Sequence, residues 1–338
     1  MTQLDERAIE PIQVAKPRSR ASRRGGLART LAMKFFIGLT TIWLASTVVF
    51  AAVEVLPQDP AVTALGIESS AEQRALFREE HGLNDPPVTR YLRWAGGIVQ
   101  GDFGTSIVSE RPISDELGPR VYHTAILALG GVTLSVIVGL PLALIAGRRP
   151  GGPFDNTANL VSLTLHAVPE FGLGVVLAWF FASELDVLPL VSSGIDSGNP
   201  LGYVLPILTL GIMGVSYVYR FSRVGVIEAG QAPFVRSAAL RGVSPRRVTT
   251  HHVLPVASSA VINVVALQAI VLLSGVVVVE NVFAFPGLGT LLITAVESND
   301  LPVIEAVAVV TSALLVAINL FADSLVVLLN PRTRRTRG

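Results

Sequence analysis

Apolar positions gather into six long runs, near residues 32–54, 121–147, 157–182, 203–224, 257–280 and 303–329. A helix of roughly 20 apolar residues crosses a hydrocarbon core about 30 Å thick, and its backbone satisfies its own polar groups without water. The pattern therefore predicts an all-α membrane protein with six transmembrane helices. About 65 residues separate the first two runs, a long polar insertion covering 55–120. Within it, Glu72 to Glu80 reads as a short surface helix ended at His81-Gly82, and Asp85-Pro86-Pro87 forces an extended turn.

The polar positions set an orientation. Arg148 and Arg149 follow the second run, and Arg220, Arg223, Arg236, Arg241, Arg246 and Arg247 cluster around the end of the fourth. The C-terminal tail, 330–338, carries Arg332, Arg334, Arg335 and Arg337. By contrast, the links 183–202 and 281–302 hold no Lys or Arg but contain Glu184, Asp186, Asp196, Glu297 and Asp300. Positive loops stay inside, so both termini are expected in the cytoplasm and the insertion outside; segments as long as the insertion translocate regardless of its six arginines. Residues 1–30, with Arg7, Lys16, Arg18, Arg20, Arg23, Arg24 and Arg29 among Pro, Ser and Gly, read as a disordered cytoplasmic arm. The run Phe35 to Val53 outlasts a signal-peptide core of roughly 7–15 residues and reads as a retained first helix, with cleavage the alternative.

Composition agrees that lipid is the main solvent. Of 338 residues, 51% are hydrophobic and 15% charged, with mean hydropathy +0.58, whereas about a quarter of the residues of a soluble chain are charged. The absence of cysteine excludes disulfides, thiolate metal sites and a cysteine nucleophile. Lys16 and Lys34 are the only lysines and neither sits in a P-loop, so the chain has no ATPase site of that type. The histidines form no HExxH, and adjacent His251 and His252 point to different helix faces, so no metal site is expected. Ser162 and His166, four apart in the third run, are the one enzymatic alternative, an intramembrane serine hydrolase lacking an oxyanion pattern.

The segment from Ala232 to Pro255, APFVRSAALRGVSPRRVTTHHVLP, reads as two short helices with a break. Pro233 opens the first, Gly242 suits the left-handed residue that ends it, and Ser244-Pro245 is an N-cap followed by a first-turn proline. Ala238, Ala239, Leu240, Val243, Val248 and Val253 supply apolar contacts, while Arg236, Arg241, Arg246, Arg247, His251 and His252 make the pair basic. On physical grounds alone this is a basic amphipathic loop at an anionic membrane surface.

Its spacing also resembles the "EAA" loop of permease subunits of bacterial ATP-binding-cassette importers. Ala238, Gly242, Leu254 and Pro255 match its Ala, Gly and Leu-Pro positions; Arg236, Ser237 and His252 depart from it. Other blocks resemble the dipeptide, oligopeptide and nickel branch of that family: LPQDPA at 56–61, HGLNDPPVTRYLRWAGGIVQGDFGTSI at 81–107, VENVFAFPGLGTLL at 279–292 and INLFADSLVVLLNPRTR at 318–334. Gln58 replaces a Gly of the pattern and Asn330 an Asp. The blocks run in order from about residue 31 to 335.

The resemblance implies a type I importer permease fold over 31–335, with a cytoplasmic coupling loop at 232–255. It implies a pathway subunit for peptides in a bacterial inner membrane, binding neither cofactor nor nucleic acid. Its partners would be a second homologous permease subunit, ATP-binding subunits that hold ATP and Mg, and an extracytoplasmic solute-binding protein. Coupling would fall to Arg236, Ala238, Ala239, Gly242, Ser244, Pro245, Arg246, Leu254 and Pro255. A nickel permease of the same family is one alternative, and an ion-driven secondary transporter, which would want an inverted repeat, is another.

Polar residues inside the spans, Glu170, Asn263, Gln268, Asn319 and Asp323, either line a translocation pathway or bond helix to helix. Glu280, Phe283, Pro286, Gly287 and Gly289 form a candidate outer loop. It reads as a re-entrant or capping turn with both phenylalanines at interfacial depth, or equally as a tight turn with aromatic anchors. Pro141, Pro169 and Pro206 permit kinks in the second, third and fourth helices.

Overall fold

The computed structural model describes residues 20–55, 59–195 and 198–329. Most of the N-terminal arm, Leu56 to Gln58, Asp196 and the basic tail lie outside the described residues. In chain order the helices are α1 (Arg20–Val55), α2 (Pro60–Leu65), α3 (Ala71–Glu80), α4 (Pro87–Val99), α5 (Ile113–Gly147), α6 (Pro153–Ala167) and α7 (Glu170–Ala178), followed by α8 (Val204–Gly230), α9 (Pro233–Leu240), α10 (Pro245–Val248), α11 (Leu254–Val282), α12 (Leu288–Glu297) and α13 (Leu301–Leu329).

Among the described residues, five stretches are long and apolar enough to cross a membrane: Ala32–Val55, Ile113–Gly147, Pro200–Gly230, Ala260–Val282 and Leu301–Phe321. The sixth is α6 plus α7 and its π-helical continuation to Glu184, bent by 97°. The expected continuous helix over 157–182 is thus two pieces. Pro169 has no N–H to donate and its ring drives Val168 out of the helical region, to φ −81° and ψ 130°, which ends α6. Pro141, by contrast, lies within an uninterrupted α5.

Helices α5 and α8 form the central pair and run parallel in register. Gly131, Gly139 and Gly147 of α5 face Leu210, Val218 and Val226 of α8, an eight-residue repeat on both helices. A β-carbon added at these glycines would stand 3.0 Å from Leu210 Cβ, 3.0 Å from Val218 Cβ and 2.5 Å from Val226 Cγ1. In lipid, where water cannot drive helices together, such small-residue seams allow the close backbone approach that dispersion forces need. Helix α1 packs mainly along α13, and its Phe35, Phe36, Leu39 and Trp43 are exposed, as lipid-facing side chains should be.

Two apolar cores lie at opposite ends of the bundle. One gathers Val226, Ala229, Val235, Val253, Ala257 and Val261 around the segment that joins α8 to α11. The other, at the far end, gathers Leu127, Leu205, Leu210, Leu272, Phe283 and Phe285. Helix α3 follows its expected course, with a capping box between Ser70 and Gln73 and a left-handed Gly82 (φ 60°) just past its end.

The candidate coupling elbow and outer latch

The joining segment is built as an elbow. Pro233 occupies the first turn of α9, and Gly242 closes that helix at φ 82°, a conformation that L side chains rarely adopt. The Gly242 amide donates to the Ala239 carbonyl at 3.0 Å and the Val243 amide to that of Ala238 at 3.3 Å, satisfying carbonyls a helix end leaves open. Pro245 opens α10, though the Ser244 hydroxyl makes no capping bond. The second arm then runs through a π-helical turn, Thr249–Val253, into α11, where Leu254 and Pro255 begin the fifth span.

One face of the elbow is buried and the other is free. Val235 and Ala238 point into the core beneath, at 4% and 1% exposure. Arg236, Ala239, Arg241, Gly242, Ser244, Pro245, Arg246 and Arg247 are exposed. Leu240, expected to supply an apolar contact, instead stands out at 88% exposure, and Ala239 is exposed beside it. The helical period explains the outward position of Leu240: with Val235 and Ala238 inward, it falls on the opposite face. Behind the elbow a cavity of about 460 Å³ is lined by Gly147, Arg148, Val226, Arg236 and Val248 among others.

A buried ion pair braces the same end. Asp155, 1% exposed in the first turn of α6, accepts a forked pair of bonds from Arg223 of α8, one of them at 2.5 Å from Nη2. Its carboxylate also accepts the Gly151 amide at 2.8 Å, and the Tyr219 hydroxyl lies 3.5 Å away. In the sequence Arg223 is one of a cluster of basic residues and Asp155 has no neighbouring charge pattern to mark it. A lone acid in a loop gives no signal of a partner 68 residues on.

At the far end, Glu280 is fully buried near the end of α11. Its carboxylate accepts the Thr124 hydroxyl at 2.6 Å, the Gly289 amide at 2.6 Å and the Thr290 amide at 3.3 Å. It thereby caps α12, a ten-residue helix too short to span a membrane. Thr290 closes the turn from the other side, donating its hydroxyl to the Phe285 carbonyl at 2.8 Å. Phe283 and Phe285, expected at interfacial depth, are 1% and 0% exposed. Phe285 meets Tyr203 edge to face at 5.4 Å, so the turn folds its aromatic rings inward as core. Asp300, just before α13, accepts the Ser106 hydroxyl at 2.5 Å and the Ile107 amide at 3.3 Å, tying the 81–107 block to this hairpin.

The intramembrane polar residues are not gathered into one site. Gln268 is 3% exposed and its carbonyl oxygen has no partner among the described residues. Asn263 is exposed, Asn319 donates to the Leu315 carbonyl of its own helix at 3.0 Å, and the Asp323 side chain lies outside the described residues. Glu170 is half-buried at the break in the third span. The hydrolase alternative fails on geometry: Ser162 donates to the Ser216 carbonyl at 3.1 Å, and His166 points to the exposed surface. Glu305, absent from the sequence reading, is 8% exposed on α13, within electrostatic reach of Arg90 and Glu54.

The fold is thus a helical membrane bundle with a bent third span and a basic, glycine-ended elbow before its fifth span. Residues 139–335 match the family of binding-protein-dependent transport system inner membrane components, and residues 27–114 match that family's N-terminal region. The chain belongs to this family, and is a multi-pass inner-membrane permease that works with ATPase and binding-protein partners. A probable peptide ABC transporter permease protein of Sinorhizobium fredii is 31% identical over 91% of this chain and 97% of its own length. The glutathione transport system permease protein GsiC of Escherichia coli is 36% identical over 89% of this chain and 98% of its own length. A crystal structure of an amino acid ABC transporter with histidines overlaps 63% of this chain and 92% of its own, with a TM-score of 0.44 at 18% identity.

Proposed function

We propose that the chain forms one half of the translocation pathway of an ATP-driven importer for small peptides, glutathione-like γ-linked peptides included. The names of its 31% and 36% identical relatives support that substrate class. A second, homologous permease would complete the pathway, with the 55–120 insertion and the 281–302 turn facing the binding protein outside the cell. Both termini and the elbow would then lie in the cytoplasm, a reading the arginine distribution supports.

The observation that carries this reading is the elbow's division into a buried and a free face. Val235 and Ala238 fix it to the ends of the spans beneath it. Leu240, with Arg236 and Arg241 beside it, offers an exposed apolar knob to a separate ATPase subunit. ATP-driven approach of two such subunits would pull the elbows together and shift the bundle between inward-facing and outward-facing states, a population shift with no covalent chemistry in this chain.

Reconstitution of the permease pair with its ATPases and binding protein in lipid vesicles tests this directly. Uptake of alanyl-alanine or glutathione that requires both ATP and the binding protein is the expected result. Uptake driven by a proton gradient in vesicles holding only this chain would overturn it.

A further inference from the structure

The break in the third span places an acid where the apolar sequence gives it no reason to be. Glu170 occupies the first turn of α7, immediately after the 97° bend, and its side chain is half-buried. No cation and no hydrogen-bond donor meets its carboxylate among the described residues. Asp155, Glu280 and Asp300, by contrast, each have several donors. The close approach of Glu170 to α11 depends on Gly275, where an added β-carbon would stand 2.2 Å from the Glu170 Oε2. Any side chain at 275 would displace the carboxylate.

Ionisable groups within a bilayer cost roughly 2.5–3.5 kcal/mol on insertion scales, so an unpartnered one must face water or protein. Irregular backbone at that depth obeys the same constraint, being tolerated only where it is buried or lines a water-filled cavity. The two halves of the span add their own fields. The last carbonyls of α6 present partial negative charge at the break, and the first amides of α7 partial positive charge. An acceptor without a donor is what a cationic group requires.

We propose that Glu170 is the point in the pathway that receives a protonated amine of the passing solute. This rests on the peptide reading, since free peptides and glutathione both carry an α-ammonium, and it adds where that group binds. Because the binding protein sets capture from outside, loss of the Glu170 contact slows passage rather than capture.

The assembled transporter in vesicles, carrying Glu170→Gln or Glu170→Asp, provides the test with alanyl-alanine and glutathione as probes. For Glu170→Gln, maximal uptake falls roughly tenfold, as loss of one charge-assisted bond implies. KM and binding-protein-stimulated ATP hydrolysis stay at their wild-type values, and Glu170→Asp recovers most of the uptake. Uptake by Glu170→Gln within about twofold of wild type would overturn the proposal. So would a parallel loss of uptake, ATP hydrolysis and co-purified second permease, which would make Glu170 a contact between the two permeases. If the wild-type transporter takes up neither probe while another solute stimulates its ATPase, the peptide reading itself has failed.

Discussion

Glu280 and Gly289 lie nine residues apart in sequence, and the carboxylate of the first accepts the amide of the second at 2.6 Å, inside a site with no exposure to solvent. This bond folds the chain back at the end of the fifth span and starts α12 on the buried carboxylate. The two glycines of the turn make room for it: a β-carbon at Gly287 would stand 2.0 Å from the Glu280 Oε1, and one at Gly289 would stand 2.6 Å from the Val277 Cα. Replacing Glu280 with Ala strands two amides and the Thr124 hydroxyl, at about 1–3 kcal/mol for each donor left buried. Thermal unfolding of the purified protein in detergent should show Glu280→Ala strongly destabilised and Glu280→Gln less so.

Gly242 tests the elbow without touching the membrane core. Nothing lies within 4 Å of an added β-carbon there, so a substitution acts through φ 82° alone. A Leu at this position costs about 1–2 kcal/mol in the left-handed region and re-aims the second arm. Gly242→Leu should insert and assemble in the membrane at normal levels while peptide uptake is lost. Uptake at the wild-type rate would separate the elbow from coupling.

Asp155 and Arg223 make an asymmetric pair, with side-chain exposures of 1% and 20%. Removing Arg223 alone leaves a carboxylate buried without its cation, which costs about 3–5 kcal/mol. Arg223→Ala should therefore unfold at a lower temperature than the double variant Asp155→Ala/Arg223→Ala. Equal melting of the two would mean that the pair carries no coupling.

In the insertion, Asp59 caps α2 through the Ala61 amide at 3.1 Å and pairs with Arg78 of α3. The hydrogen bond from Arg78 holds the Asp59 carboxyl below its ordinary range. A depressed folded-state pKa means that the contribution is fully present above the unfolded value, about 3.9, and is lost as pH falls through the lower folded value. Hydrogen-exchange protection across 59–80, taken relative to the intrinsic rate at each pH, should hold through neutral and mildly acidic pH and fall only below about pH 4. Asp59→Asn should show the faster exchange already at neutral pH.

The spans were legible because lipid enforces a simple rule on hydropathy, and Pro233, Gly242 and Pro245 were legible because each has a narrow conformational use. The start of the second span was not. Residues 113–120 continue α5 outward but carry Asp115, Glu116 and Arg120, which hydropathy discounts. Pro169 announced a kink, but a bend of 97° depends on how α7 packs against α8 and α11, which no local pattern encodes. Phe283 and Phe285 read as interfacial because a turn usually lies at the surface; here Glu280 and Thr290 fold the turn inward. The ion pair at Asp155 and the Asp300 link to Ser106 join distant segments, so only the folded chain reveals them.

We propose that a separate ATPase subunit grips the elbow at Leu240. Because the chain has no cysteine, a single cysteine at that position reports without background. In the assembled transporter, Leu240→Cys should crosslink to a cysteine-bearing ATPase subunit through a short bifunctional maleimide, with a yield that changes on ATP binding. Labelling of that cysteine from outside intact cells, or a complete absence of crosslinks in a transporter that still imports peptide, would contradict the account.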